Sequence, residues 1–264
     1  MLRALLYRRP VEPQAIDIDF DGDVFLVRLR RHRQARRYTL RIQAATREAV
    51  LTLPPRGTVK EAKAFALKHG AWIASRLGRL PKAVPFAHGM TVPVRGVPHR
   101  IVHRRGARGT VWMETDGNGK PLLCVAGDAP HVARRIGDFL KREARRDLEA
   151  ASRRYAARLG VPVKRITVRD QVSRWGSCST TGALSYSWRL IFAPPFVLDY
   201  LAAHEVAHLV EMNHSPRFWR LVERLHPGVE RAKAWLDGHG ADLHRYGEVD
   251  AASAGKPIAD DADL

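Results

Sequence analysis

Residues 201–210 read LAAHEVAHLV, an apolar run that holds three ionisable side chains, His204, Glu205 and His208. Burying two histidines and a glutamate in such a segment is costly unless something satisfies them. On a helix, positions four apart share one face a turn apart, so His204 and His208 can aim imidazole nitrogens at a single ion. Glu205 is rotated about 100° from His204, close enough to reach a water on that ion without ligating it. H-E-x-x-H thus supplies two ligands and the general base of a zinc hydrolase. Hydrogen-bonded core histidines are the plainer alternative.

A catalytic zinc with three protein ligands keeps a fourth position open for water, so a third ligand must come from outside the pair. His214 lies six residues past His208. Asn213 can terminate the helix and Ser215-Pro216 begins the next, so a chain reversing there can swing His214 back over the helix C-terminus. Glu223 and Glu230, downstream, are the alternative third ligands. The longer pattern H-E-x-x-H-x-x-G-x-x-H has the same second-to-third spacing. Here Glu211 stands where that pattern has glycine and no Met-turn follows, so the chain departs from that clan.

Around this segment the chain reads as a mixed α+β protein. Residues 1–20 lack periodicity and read as an extended lead-in. Val24–Leu29 and Tyr38–Ile42 read as strands flanking the basic tip RRHRQARR, and Ala49–Pro54 as a third. Thr58 with Glu61 forms a capping box for one helix to about Leu77. From Met90 to Val125 the chain returns to short strands, with a tight turn at Asp116–Lys120. His131–Leu159 reads as a long basic amphipathic helix ended by Gly160. A strand at Arg165–Val168, a loop, and a strand at Ala183–Ile191 follow. Pro194-Pro195 opens the helix of the histidines, which runs to about Met212. Ser215-Pro216 caps a helix over Arg217–Leu225, and Pro227 starts a last one ending near Gly238. These elements divide into a β-rich lobe with one helix over 21–130, a helical metal-binding domain over 131–245, and an acidic tail over 246–264. No internal repeat is visible.

The stretch Arg174–Gly228, RWGSCSTTGALSYSWRLIFAPPFVLDYLAAHEVAHLVEMNHSPRFWRLVERLHPG, resembles the YgjP-like metallopeptidase domain. It is also similar to the SprT-like zinc peptidases, which share H-E-x-x-H and a later third histidine. The resemblance is dense over about 165–236 and looser over the first half. It implies that His204, His208 and His214 are metal ligands and that Glu205 is the catalytic acid/base. It also implies a zincin-like core, with the active-site helix beside a small sheet. The segment ALSYSW (Ala183–Trp188) would suit that sheet, and a substrate peptide could add to an exposed edge as a strand.

Other residues have plainer readings. Gly176 reads as a turn, and Trp175 and Trp188 as core anchors. Cys178 reads as a small buried residue, with a thiolate on the metal as the sharper alternative. Arg174 reads as a partner of Asp170 or Asp199 ahead of a substrate contact. Tyr186 and His226 have no spacing that ties them to the reaction, and His32, His88, His99, His103 and His131 read as surface residues. Phe218 and Trp219 read as packing that holds His214 in place.

The expected activity is a zinc-dependent peptidase acting on a peptide or protein. A metal-dependent nucleotide phosphohydrolase is the alternative, although no P-loop and no acidic cluster for two hard cations is present. The formal net charge of +18 keeps nucleic acid in view as a partner of the Arg-rich surface, beside a plain compositional bias towards Arg. The only cysteines are Cys124 and Cys178, which fits a reducing compartment. No run of about 18 apolar residues and no signal peptide is evident, so a cytoplasmic protein off the membrane is expected. The sequence leaves the oligomeric state open.

Overall fold

Asp21 and Gly22 both take positive φ, 56° and 83°, and so close a two-residue hairpin between β1 (Ala15–Phe20) and β2 (Asp23–Arg31). The expected lead-in over 1–20 therefore ends in a strand, with Ile16 and Ile18 buried. In this computed structural model the described residues are 13–43, 46–80 and 82–247, and the chain divides between 81 and 82 into two compact units.

In unit 1, β3 (Thr39–Gln43) and β4 (Glu48–Leu53) complete a sheet of order β1-β2-β4-β3. β2 and β4 run parallel, with Val27 opposite Ala49, and both outer pairings are antiparallel. Two helices cover it where one was expected. The capping box of Thr58 and Glu61 opens α1 (Val59–Lys68), and α2 (Gly70–Gly78) follows after His69. The chain breaks there with Gly70 pressed on Phe20, where a Cβ would lie 2.4 Å from the ring. Ile18, Val27, Leu51, Ala62, Ala66 and Ile73 form the core of this unit.

Unit 2 opens with a second four-stranded sheet of the same topology. β5 (Thr91–Val94), β6 (Val97–Arg104), β7 (Val111–Thr115) and β8 (Pro121–Ala126) lie in the order β5-β6-β8-β7, with β6 and β8 parallel and the outer pairs antiparallel. Its first hairpin also turns through two positive-φ residues, Arg95 and Gly96. The two sheets are thus a topological repeat that the side chains do not betray. The expected single lobe over 21–130 is corrected accordingly. Val92, Ile101, Leu123 and Val125 share one core with the helix that follows, α3 (Val132–Leu159), so this sheet belongs to unit 2. His99, expected at the surface, is buried and bonds the Val97 carbonyl.

α3 runs for 28 residues, buries the stripe Ile136, Leu140, Ala144, Leu148 and Tyr155, and ends on left-handed Gly160. The third sheet, of order β10-β11-β9, comprises β9 (Arg165–Arg169), β10 (Gly176–Cys178) and β11 (Ala183–Ser187). Two corrections fall here. The expected loop before β11 contains an edge strand, β10, and β11 is the central strand and stops at Ser187. Residues Trp188–Phe192 continue as a tight 3-10 turn, entirely buried. Then come α4 (Pro195–Ala207), α5 (Pro216–Leu225) and α6 (Val229–His239). The α4 helix stops at His208, short of Met212.

The start of the expected acidic tail is fastened in place. Tyr246 bridges to Val84, and Arg189 donates to the Tyr246 carbonyl oxygen at 2.8 Å. The rest of that tail lies outside the described residues. No described helix is long and apolar enough to cross a membrane.

Candidate metal centre

α4 is apolar on all sides, with Val197, Leu198 and every residue from Tyr200 to Ala207 buried. A helix of that kind sits inside a core rather than on it. His204 and Glu205 are therefore 6 % and 4 % exposed, and His208, at the helix C-terminus, 8 %. Backbone bonds from Val210 and Glu211 to Ala207 turn the chain, and the Ser215 hydroxyl accepts from Phe218 N to start α5. This reversal brings the exposed His214 back to α4.

One imidazole nitrogen from each of His204, His208 and His214 lies within 4.8 Å of the other two. The Nε2 atoms of His204 and His214 are 3.2 Å apart. Two nitrogens bound to one tetrahedral zinc at about 2.0–2.1 Å would stand roughly 3.3–3.4 Å apart, so the spacing fits that ion. His208 Nδ1 lies 3.1 Å from the Glu211 carbonyl oxygen. A carbonyl only accepts, so Nδ1 carries the proton and Nε2 keeps its lone pair for a metal. Burial lowers the pKa of His204 to about 3, helped by the neighbouring His208 and His214, and burial also lowers that of His208. Neutral imidazole is the form that ligates. The alternatives Glu223 and Glu230 stay out of the cluster: both are exposed, and Glu230 pairs with Lys233 at 3.2 Å.

Phe218 is fully buried and touches all three rings. Its centroid is 4.9 Å from His204, 4.3 Å from His208, nearly parallel to it, and 4.9 Å from His214. Trp219 stacks on His214 at 5.7 Å. The pair packs against the histidines as their place after His214 leads one to expect.

Glu205, next to His204 on α4, has its carboxyl against β10. An added Cβ on Gly176 would lie 2.4 Å from Glu205 Oε1. Gly176 is thus no simple turn residue. It is the backbone against which the carboxyl rests, and nothing in local sequence announces it. Among the described residues the Glu205 carboxyl has no hydrogen-bond partner, and burial pushes its pKa up to about 8, with Arg174 opposing. Arg174 does not pair as expected. Asp170 is held by Arg189 at 2.7 and 3.0 Å, and Asp199 by Tyr155 and Arg154. The free positive charge of Arg174 acts on Glu205 instead.

Cys178 stays a neutral thiol, its pKa raised to about 11 by burial and by Glu205, and it lies outside the histidine cluster. The thiolate-on-metal alternative is not supported. Tyr186 is fully buried with its hydroxyl 3.0 Å from Ser152 Oγ, and His226 faces Tyr155 and Asp199.

The family model of the YgjP-like metallopeptidase domain matches residues 36–239. Among solved structures, the metallopeptidase zymogen abylysin of Pyrococcus abyssi aligns with a TM-score of 0.33 and 27 % identity, over 38 % of this chain and 99 % of that one. No curated protein matches.

Proposed function

The chain belongs to the YgjP-like metallopeptidase family, and we propose that it is a zinc-dependent peptidase with Glu205 as its general base. The observation that carries this reading is the convergence of three imidazoles beside a buried, unpartnered carboxyl. Three nitrogen ligands, with no fourth protein donor among the described residues, are the set that keeps a zinc open for catalysis, whereas structural zinc is closed by four ligands and Cys-rich. Zinc held there supplies a Lewis acid and a water acidified towards pH 7. Glu205 then takes a proton from water at the site and passes it to the leaving amine. A carboxyl whose pKa is raised by burial is suited to both halves of that task, since it binds and releases the proton near neutral pH.

Placed against the sheet, α4 and β10 form the zincin-like core that we propose. β10 is the edge strand of its sheet and lies at Glu205. Its outer backbone groups are available to an extended peptide, which would pair with β10 rather than with the central β11. Cys124 and Cys178 are both free thiols, and the reducing cytoplasm is the compartment we propose.

The test begins with metal content by elemental analysis, on protein purified without a chelator or a polyhistidine tag. About one zinc per chain is expected, largely lost in His214→Ala. Casein or peptide cleavage should then follow zinc, vanish in Glu205→Gln, and leave zinc in that variant nearly unchanged. Full zinc retention in His214→Ala would remove that residue from the ligand set. Phosphate release from nucleoside triphosphates without peptide cleavage would replace the peptidase by a phosphohydrolase.

A further inference from the structure

Unit 1 carries a concave site that the peptidase reading does not use. A cavity of about 440 Å³ opens there, walled by Arg37 and Tyr38 just before β3, Phe65 on α1, His69 between the helices and Trp72 on α2. Tyr38 and Phe65 are stacked at 5.8 Å, and Phe65 and His69 follow at 4.5 Å. Trp72 remains 38 % exposed although it is the largest apolar side chain on its helix, and Arg76 lies over its face at 5.8 Å. The core of this unit closes on Ile73 and does not need that indole.

Arg37 lines the cavity, and the segment that leads to it is basic and held in shape. Arg31 donates to the carbonyl oxygens of Pro54, Pro55 and Gly57 at 2.7–2.8 Å, and this clamp fixes the base of the tip that follows. Beyond it Arg33, Arg36 and Arg37 are exposed, and none has a side-chain hydrogen bond or ion pair among the described residues. The described acidic side chains of this unit lie on other elements or are already paired. Asp17, Asp19, Asp21 and Asp23 lie on the β1–β2 hairpin, at the sheet edge opposite β3. Glu48 is paired with Arg28, and Glu61 is taken by the cap of α1 and by the Tyr38 hydroxyl.

We propose that this cleft binds single-stranded nucleic acid, with unpaired bases on the aromatic wall and the phosphate backbone along Arg33, Arg36 and Arg37. Rings beside an unneutralised row of arginines are the two components of sequence-tolerant single-strand binding. A duplex, its bases already stacked on one another, has no use for the indole. A free nucleotide engages one ring and one or two cations, whereas three unpaired arginines in a row match a polymer. The rings line a cavity instead of projecting from the surface, which disfavours insertion into a lipid bilayer. This site is built by unit 1 alone, and the proposal does not depend on the activity of the metal centre in unit 2.

Fluorescence anisotropy of the full chain with labelled oligothymidylate and oligouridylate tests the proposal. Binding should weaken linearly in log–log form with salt. Trp72→Ala and the milder Trp72→Leu should each weaken it by about 5- to 150-fold with the melting temperature little changed. Arg36→Gln and Arg37→Gln should each lower the salt slope by about 0.7, and Arg153→Gln, on α3, should leave affinity as it is. The DNA and RNA arms decide which polymer is preferred. Equal loss in Arg37→Gln and Arg153→Gln with none in Trp72→Ala would reduce the binding to diffuse charge and overturn the site. So would an absence of oligonucleotide binding, whether or not phosphatidylserine vesicles are bound through Trp72.

Discussion

The backbone of Gly176 on β10 and the carboxyl of Glu205 on α4 occupy space that no side chain can share. A Cβ at residue 176 would sit 2.4 Å from Oε1, 2.7 Å from Cγ and 2.8 Å from Cδ of Glu205. The edge strand thereby fixes where the Glu205 carboxyl, the proposed general base, stands. Gly176→Ala must push Glu205 aside while leaving the three histidines alone. Overpacking of this kind costs about 1–3 kcal/mol in a well-packed core. The larger effect is on turnover, because a base displaced by about 1 Å loses roughly 100-fold in rate. Steady-state kinetics beside zinc analysis should give a lower kcat at unchanged metal content; unchanged kcat would mean that β10 does not position Glu205.

Phe218 is the common floor of the three imidazoles, within 4.9 Å of each ring centroid. Phe218→Ala should leave a cavity under the cluster, costing about 3–5 kcal/mol of stability. Histidines no longer held by packing should bind zinc roughly 10- to 100-fold more weakly. Chelator competition monitors the second effect and denaturant unfolding the first. Phe218→Leu, which refills most of the volume, should recover the greater part of both. Zinc affinity indifferent to Phe218→Ala would show that α4 and the turn to His214 hold the ligands unaided.

The legibility of this molecule follows the range of the interactions involved. His204, Glu205 and His208 lie within one helical turn, so their juxtaposition is a property of the helix and could be read from spacing. The capping box at Thr58, the left-handed Gly160 and the Ser215-Pro216 start of α5 are equally local. The Asp21-Gly22 turn is also local: Asp-Gly flanked by IDIDF and VFLVRL is a strong hairpin signal, at odds with a lead-in over 1–20. Other features could not be read. β10 is only Gly-Ser-Cys, residues of low strand propensity that are extended because β11 pairs with them. The parallel pairings of β2 with β4 and β6 with β8 are non-local, and they make the two repeated sheets that sequence similarity does not disclose. The split between α1 and α2 falls where Gly70 meets Phe20 of β1, a contact distant in sequence.

Arg189 is fully buried and binds two distant segments at once. Its Nε and Nη2 donate to the Asp170 carboxylate, and its Nη1 reaches the carbonyl oxygens of Leu243, His244 and Tyr246 at 3.4, 3.5 and 2.8 Å. Arg189→Met would leave Asp170 as a buried charge without its partner, a loss of about 3–5 kcal/mol. The double replacement Arg189→Met with Asp170→Leu should cost less than the single one, because no lone carboxylate remains. Denaturant unfolding of the single and double variants decides this, and additive losses would count against the coupling.

His244 gives the fold a pH dependence that can be isolated from the three-histidine cluster. The ring lies 5.1 Å from Trp175, is 7 % exposed, and has a buried Nδ1 with no hydrogen-bond partner among the described residues. Burial lowers its pKa from 6.5 to about 4, with the Arg189 charge acting the same way and Asp170 against it. The folded state therefore holds the ring neutral while the unfolded chain protonates it below its ordinary pKa. A depressed pKa of this sign contributes stability that is complete above about pH 6.5 and drains away as the pH falls towards 4. A depression of that size is worth about 3 kcal/mol, as an order of magnitude. His244→Phe keeps a ring against Trp175 and removes the titration. Measured with a chelator present, wild type should lose about 2–3 kcal/mol more than the variant between pH 7.5 and 4.5. The remaining histidines and carboxylates titrate alike in both proteins, so the difference between the two curves reports His244 alone. Curves that run parallel would mean that His244 protonates as readily in the folded protein as in the unfolded one, and its neutral, buried state would have to be given up.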